Sequence, residues 1–597
     1  MRHSSDIWRM VPWERSLRLP TAASNRAPRL ARSRSRTLAP LTALPLVAVL
    51  VAQAVATLSL VGANTAFQDE ALYLWAGRLE IAHWLHGTPI PAFPTYFSGA
   101  PVIYPPLGAM ANGLAGLGGA RVLSLGFMLV ATAMLWATVG RLYGRRAGFF
   151  AAALFALLGA TLRLGAFATY DAMALGLMAT AAWCAVRASG RQGSSGWLVA
   201  AALALALANA TKYASVLFDP IVVGLLFTTS LRVVTARMAL GRAGTMASYV
   251  VGICAVLLIL GGGEYWIGIL QTTVGRVGGS TPPSSVVAES WRLTAVVVVL
   301  GAAGILLSLT DRARRGDRLL LCVLVIAGLL VPFEYAHLGS LTSLSKHLDY
   351  GAWFVAIAAG YGVDRLIRWA PGPSTRMAAT AVVSASLVLP GVLGLTQARE
   401  LFHTWPNSRT LVRTTSSVLG STRGPILAEN PSLLEYYLPQ GSQWRRWSST
   451  CSIRLADGRS ISQPVGNCFH PQQYVRLVGR RFFSAVVLLF GQTGHFDGAV
   501  SRALRRNPHY HLVAETSYGH QQAVVWKLRP QARAGSLPAP APARASTPLE
   551  GLLIPTARPS PVLGDVVAAA SAVGLLTLLL TLAIRYRWRR RRASYEI

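Results

Sequence analysis

Acidic residues are scarce in this chain: 23 Asp and Glu stand against 56 Lys and Arg, and charged residues of both signs make up only 13% of 597. With 53% hydrophobic residues and a mean hydropathy of +0.43, that excludes an ordinary soluble protein of this length. Lysine is scarcer still; Lys212, Lys346 and Lys527 are the only ones. Of five cysteines, Cys184, Cys254 and Cys322 fall in apolar runs and read as core residues. Cys451 and Cys468 fall in a polar stretch, where an oxidising compartment would permit a disulfide between them. Four ligands are the norm for zinc, and only His470 stands close to that pair, which argues against a metal there. The apolar part carries no nucleotide-binding fingerprint and no evident internal repeat. The net charge of +33 does not signal nucleic acid, because the arginines cluster between alternate apolar runs and build no interleaved aromatic and basic surface.

What is present is a series of apolar runs of about 16–22 residues between Leu41 and Leu395, with one more from Val562 to Ile584. Each approaches the length needed to cross about 30 Å of hydrocarbon. The fold class expected is mostly α: a polytopic helical membrane protein of about 12 transmembrane helices with a small extracytoplasmic α/β domain. With the N-terminus inside, almost every basic cluster falls on one side, including RLYGRRAG (141–148), DRARRGDR (311–318) and the tail RYRWRRRR (585–592). That parity holds if the stretch 104–119 does not span. Its leading prolines and many glycines suit an interfacial or re-entrant helix.

The expected organisation is a disordered basic cytoplasmic tail (1–38), a transmembrane catalytic domain (39–396) with an outer loop of interfacial helices (61–120), and an extracytoplasmic α/β domain (397–530). An Ala/Pro-rich linker (531–561) and a C-terminal transmembrane helix with a basic cytoplasmic tail (562–597) complete it. Within the α/β part, ILAE (426–429), FSAVVLLF (483–490), YHLVAE (510–515) and QAVVWKL (522–528) read as strands. The Ala/Arg/Gly bias with few lysines points to a high-GC, actinobacterial-like genome, hence a bacterial plasma membrane.

Under this topology the unusual polar residues gather on the outer side. Asp69 and Glu70 open the first loop, Asp171 opens the fourth span and Lys212 closes the fifth. His337, Lys346, His347 and Asp349 stand before the tenth. Ionisable groups are costly in lipid, so their convergence on one face implies a polar cavity. Bland readings compete. Asp is a favoured N-cap, and both Asp69 and Asp171 precede predicted helices. Lys212 could snorkel to the interface. Trp75 and Trp84 read as aromatic-belt anchors of an interfacial helix.

The run DEALYLWAG after the first span, YPPL later in that loop, ARVLS opening the second span and TYDAMA at the fourth resemble glycosyltransferase family 39. That is the GT-C group of protein O-mannosyltransferases and the lipid A aminoarabinose transferase. The resemblance implies transfer of a sugar from a polyprenyl-phosphate donor to a protein, lipid or glycan acceptor on the outer face. It implies Asp69 as the base, Glu70 assisting it, and Asp171 as a second acid. Lys346, His347, Lys212 and Arg121 become candidates for the donor phosphate, and Tyr73, Tyr104, Tyr170 and His337 for substrate contacts. Family members often carry Lys or His before the paired prolines, where this chain has Tyr104. No cofactor is required for such chemistry, a divalent metal is left open, and membrane lipids are the other partners expected. The rival class is a transporter or flippase of a lipid-linked or cell-envelope substrate, which would favour ionisable groups at mid-membrane and an internal repeat.

Overall fold

The structure is a computed structural model that describes residues 39–191, 195–276, 278–309, 315–455, 460–462, 470–491 and 493–530. The expected segments 1–38, 531–561 and 562–597, Cys468, and with it the Cys451–Cys468 pairing, lie outside the described residues. From Leu46 onward the chain forms one unit.

Nineteen α-helices are described. The first six are α1 (Ala39–Leu58), α2 (Gln68–His86), α3 (Tyr104–Tyr143), α4 (Arg145–Ala156), α5 (Gly159–Gly165) and α6 (Tyr170–Ala188). There follow α7 (Ser195–Thr211), α8 (Asp219–Ser230), α9 (Ala236–Gly261), α10 (Gly263–Thr272), α11 (Pro283–Leu309), α12 (Arg315–Leu338) and α13 (Leu344–Arg368). The last six are α14 (Pro373–Ser386), α15 (Val388–Phe402), α16 (Arg409–Leu419), α17 (Pro431–Tyr437), α18 (Gln472–Gly479) and α19 (Gly494–Arg506). Each expected span before residue 396 falls on one of these helices or on an adjoining pair.

Among the described residues, six helices qualify as membrane spans by length and composition, or seven if the bent pair α4–α5 is one span. The expected last span lies outside those residues, and the rest of the difference from about 12 has a physical reason. Helices such as α6 and α13 are buried among other helices and carry Asp171, Lys346 and Asp349, so their hydropathy is low although they run through the bundle. Gly360 marks how tightly α13 packs: an added Cβ would stand 2.5 Å from the Ala147 carbonyl oxygen of α4.

Breaks in three helices shape the end of the bundle that carries the acids. In α3 the dihedrals leave the helical region at Ala115 and Gly116, where Gly116 takes a φ of 61°. The stretch 104–115 is thus a separate helical piece, and the second span proper begins beyond it. The pair α4–α5 bends by 72° at Leu157–Leu158, which turns α5 and its Arg163 across the bundle. Pro332 interrupts the hydrogen-bond ladder of α12 a few residues before Tyr335.

The region after α15 is a small α/β unit. Its main sheet has the order β2 (Trp447–Ser448), β1 (Ile426–Ala428), β5 (Ala485–Leu488), β7 (Gln521–Leu528) and β6 (Tyr510–Tyr518). The pairs with β1 are parallel; β5–β7 and β6–β7 are antiparallel. The four runs read as strands from sequence are strands β1, β5, β6 and β7. A two-stranded ribbon, β3 (Ser452–Arg454) with β4 (Ser460–Ser462), was not anticipated. Helix α17 lies against α2. Trp75 Nε1 donates to the Gly441 carbonyl (2.9 Å) and Arg78 to that of Tyr436 (2.6 Å). Trp75 is therefore buried under the α/β unit rather than set in an aromatic belt, whereas Trp84 is exposed.

Candidate active site

Helix α2 begins with both acids in its first turn, where the helix dipole favours negative charge. Their side chains diverge. Glu70, three residues inside the cap, turns back and accepts the Phe67 N–H (2.9 Å) and the Ala168 N–H (2.8 Å). Arg121 adds a bidentate pair, Nε to Oε1 at 2.8 Å and Nη2 to Oε2 at 2.7 Å, with both side chains fully buried. The same guanidinium donates to the carbonyls of Val61, Asn64 and Thr65. Glu70 is thus committed to holding the loop before α2. Arg121, expected at the donor phosphate, has its donors spent on Glu70 and three carbonyls. The capping reading entertained for Asp69 belongs to Glu70.

Asp69 faces the opposite way. Its Oδ2 lies 2.5 Å from Lys346 Nζ, and its side chain keeps 20% of its surface. Lys346 is also 3.9 Å from Asp171 Oδ2, so one ammonium group bridges two carboxylates. Asp171 is wholly buried. Lys212 Nζ stands 3.8 Å from its Oδ1 and His347 Nε2 3.1 Å from the same oxygen. Its backbone carbonyl accepts from Tyr350 (3.1 Å). The other ring nitrogen of His347 faces the Tyr335 hydroxyl at 2.5 Å. Four helices with more than 270 residues between their ends thereby meet at two acids, two lysines and a histidine: α2, α6, the end of α7 and the start of α13.

The tyrosines stand behind this cluster. Tyr73 and Tyr170 are buried; the Tyr73 hydroxyl donates to that of Tyr170 (2.7 Å), which is 2.5 Å from Ser98 Oγ. Lys212 donates to the same Ser98 (2.8 Å) and lies 4.7 Å over the Tyr170 ring. These contacts fix the direction of the Lys212 side chain, so it does not snorkel. Tyr104 is fully buried, with its hydroxyl toward Ser124 (3.4 Å), and YPPL serves packing: a Cβ on Gly77 would stand 1.9 Å from the Pro105 carbonyl oxygen. Tyr73, Tyr104 and Tyr170 are all buried, with their hydroxyls directed at one another or at Ser98 and Ser124. His337 is exposed and apart from the cluster, because α12 turns Tyr335 inward at that height.

Two residues of this region were passed over in the sequence. Tyr335 orients His347. Arg163 on α5 is buried over the Phe167 ring (4.5 Å) and donates to Ser345 (2.8 Å), the residue before Lys346. The signal for Arg163 was available, since it is an arginine at the acid-bearing end of a span in a chain whose loop arginines cluster mostly at the other end. Asp349 of the KH–DY segment points away from the cluster to Thr161 (2.8 Å). Among the described residues no group of three or more His, Cys, Asp or Glu is placed to hold a metal ion.

Residues 114–258 match the dolichyl-phosphate-mannose-protein mannosyltransferase family, a stretch that includes ARVLS, TYDAMA, Asp171 and Lys212. No curated protein matches the chain. Among solved structures, ArnT from Cupriavidus metallidurans bound to undecaprenyl phosphate is 16% identical, over 83% of this chain and 99% of that one, with a TM-score of 0.51. Its apo form gives 16%, 82%, 98% and 0.50. The Archaeoglobus fulgidus oligosaccharyltransferase in apo form is 12% identical over 79% of this chain and 74% of that one, with a TM-score of 0.52. The fold is therefore the one these GT-C membrane enzymes share, mostly helical with a small sheet region. The resemblance to the mannosyltransferase group read from the motifs is borne out by the family match within that fold.

Proposed function

We propose that this chain transfers a hexose or pentose from a polyprenyl-phosphate carrier to an acceptor hydroxyl, by direct displacement with Asp69 as base. The observation that carries the reading is the contrast at the head of α2. Glu70 is saturated with donors, whereas Asp69 is partly open and held by one lysine that also faces a second buried acid. That is the arrangement a proton acceptor beside a charged leaving group needs.

In the proposed step the acceptor oxygen bonds to the anomeric carbon as the bond from that carbon to the phosphate oxygen breaks. The acceptor proton passes to Asp69, and the bonding electron pair leaves with the phosphate. Inversion at the anomeric carbon follows from a single displacement. Lys346 and Lys212 meet the developing phosphate charge, with Asp171 keeping both ammonium groups in place and His347 held against Asp171 by Tyr335. Arg121 and Glu70 act only by fixing the segment from Val61 to Asp69. The undecaprenyl phosphate in the ArnT relative supports a polyprenyl-phosphate donor. The charge pattern of the loops supports placing the site on the extracytoplasmic face, with 39–396 as the catalytic region and 397–530 beside it.

The test uses the full chain, purified in detergent, with radiolabelled polyprenyl-phosphate hexoses and pentoses. Release of the polyprenyl phosphate with the label moved to an acceptor, or to water, is the result expected. Binding of these lipids without turnover of any of them would point to a carrier or flippase instead.

A further inference from the structure

The α/β unit borders an open cavity, of about 510 Å³, that none of the chemistry above uses. Volumes of this size suit a ligand of several rings. One wall is a ridge of α16. The helix buries Leu411, Thr415, Val418 and Leu419, spaced as one helical face, against β6 and β7. The ridge behind that face carries Arg409, Arg413, Ser416 and Ser417 into the cavity. All four side chains are exposed, and among the described residues no carboxylate pairs with either arginine. The facing wall includes Thr65 and Tyr437.

Those two residues tie the cavity to the catalytic acids. The Tyr437 hydroxyl accepts the Ala66 N–H (2.8 Å), and Thr65 Oγ1 accepts the Ser408 N–H (2.9 Å). The Thr65 carbonyl is held by Arg121, which also clamps Glu70. Thr65 precedes Asp69 by four residues, so their Cα atoms are at most about 14 Å apart.

We infer that this cavity is an acceptor subsite for an acidic saccharide, one bearing a phosphate or carboxylate, which it seats so that a hydroxyl further along reaches Asp69. Guanidinium groups bind such anions through paired hydrogen bonds. The serine and threonine hydroxyls match the hydroxyls of sugar rings. Val412, Leu438 and the Tyr437 ring supply the apolar part of the lining, set among two arginines and four hydroxyl-bearing side chains. The inference rests on the transferase reading, because it names the acceptor class which that reading leaves open.

The full-length protein in phosphatidylcholine nanodiscs is titrated calorimetrically with a hexose 6-phosphate and a glucuronic-acid disaccharide. Their uncharged counterparts, a polyglutamate peptide and a short-chain phosphatidylglycerol are the comparison titrants. Saturable binding of the charged saccharides is expected, with weaker binding of every other titrant. Arg409→Ala/Arg413→Ala should weaken it roughly tenfold or more, with an unchanged melting temperature, and Arg409→Lys/Arg413→Lys should restore part of it. Equal binding of charged and uncharged saccharides, tighter binding of the peptide or the lipid, or full affinity in the double alanine variant would each overturn the subsite. Binding of the polyprenyl-phosphate sugar by the same wild-type preparation separates the two readings. Donor binding without saccharide binding refutes the subsite alone. Saccharide binding without donor binding refutes the transferase reading, and with it the acceptor role.

Discussion

Asp69 and Glu70 are neighbours that head the same helix, yet they belong to two different kinds of ionic region. Behind α2, Glu70 and Arg121 form a closed unit in which both carboxylate oxygens and the guanidinium are fully engaged. In front of it, Asp69, Asp171, Lys212 and Lys346 share charges at distances of 2.5 to 3.9 Å. A buried pair with every donor used contributes shape, and removing one partner leaves an uncompensated charge. A cluster whose carboxylates share their counter-ions keeps its charges available for chemistry. Residue type does not distinguish the two regions; the number of donors around each oxygen does.

Breaking the closed region should have the largest effect on the protein itself. Glu70→Ala strands Arg121 and is expected to cost about 3–5 kcal/mol of stability. The measurement is thermal unfolding in detergent, and a melting temperature equal to wild type would refute the structural role. In the open region, Lys346→Ala should lower transfer about a hundredfold while the protein melts near the wild-type temperature, and Lys346→Arg should recover part of the rate. A rate within a factor of two of wild type for the alanine variant would remove Lys346 from the leaving-group site.

Two smaller effects probe the α/β unit that steadies α2. Glu429 and Asp497 are buried together: the Leu489 N–H donates to Glu429 (2.7 Å) and the Thr493 hydroxyl to Asp497 (2.6 Å). Burial, and for Asp497 the nearby Glu429 carboxylate, push both carboxyls above the usual range. A carboxyl raised in the folded state keeps a proton that the unfolded chain loses near pH 4. Its stabilising contribution is therefore complete below that pH and disappears as pH climbs through the raised value. Asp497→Asn should flatten the fall of melting temperature above about pH 4, a difference of about 1 kcal/mol; an unchanged slope would contradict the buried pair. Tyr437→Phe, which removes the acceptor of the Ala66 N–H, should cost about 1 kcal/mol, read in the same melts. Full stability would show that this bond does not anchor the cavity wall.

Much of the fold was legible because length and periodicity report it directly. The apolar runs up to residue 395 became helices, and the short β-branched runs at 426, 485, 510 and 522 became strands. The break of α3 at Gly116 also follows from glycines that read as unsuited to a continuous span. The site was legible in part. Asp69, Asp171, Lys212, Lys346 and His347 were all singled out, and the fold gathers them. The division of labour between Asp69 and Glu70 was not, because it depends on α2 starting at Gln68, and a shift of one residue in a helix start exchanges the positions of the two acids. Arg121 misled for a similar reason: a charge near the site carries no mark of how many carbonyls will claim it. Tyr335 and Arg163 owe their positions to the Pro332 interruption and the 72° bend, which are tertiary facts.

The central claim is that Asp69, and not Glu70, takes the acceptor proton. It is tested most directly by single-turnover transfer from a polyprenyl-phosphate sugar in the Asp69→Asn variant, with melting temperature measured on the same preparation. The account predicts a rate lower by about 10²–10⁴ in a protein that melts near the wild-type temperature. Transfer at the wild-type rate by a folded Asp69→Asn protein would contradict it.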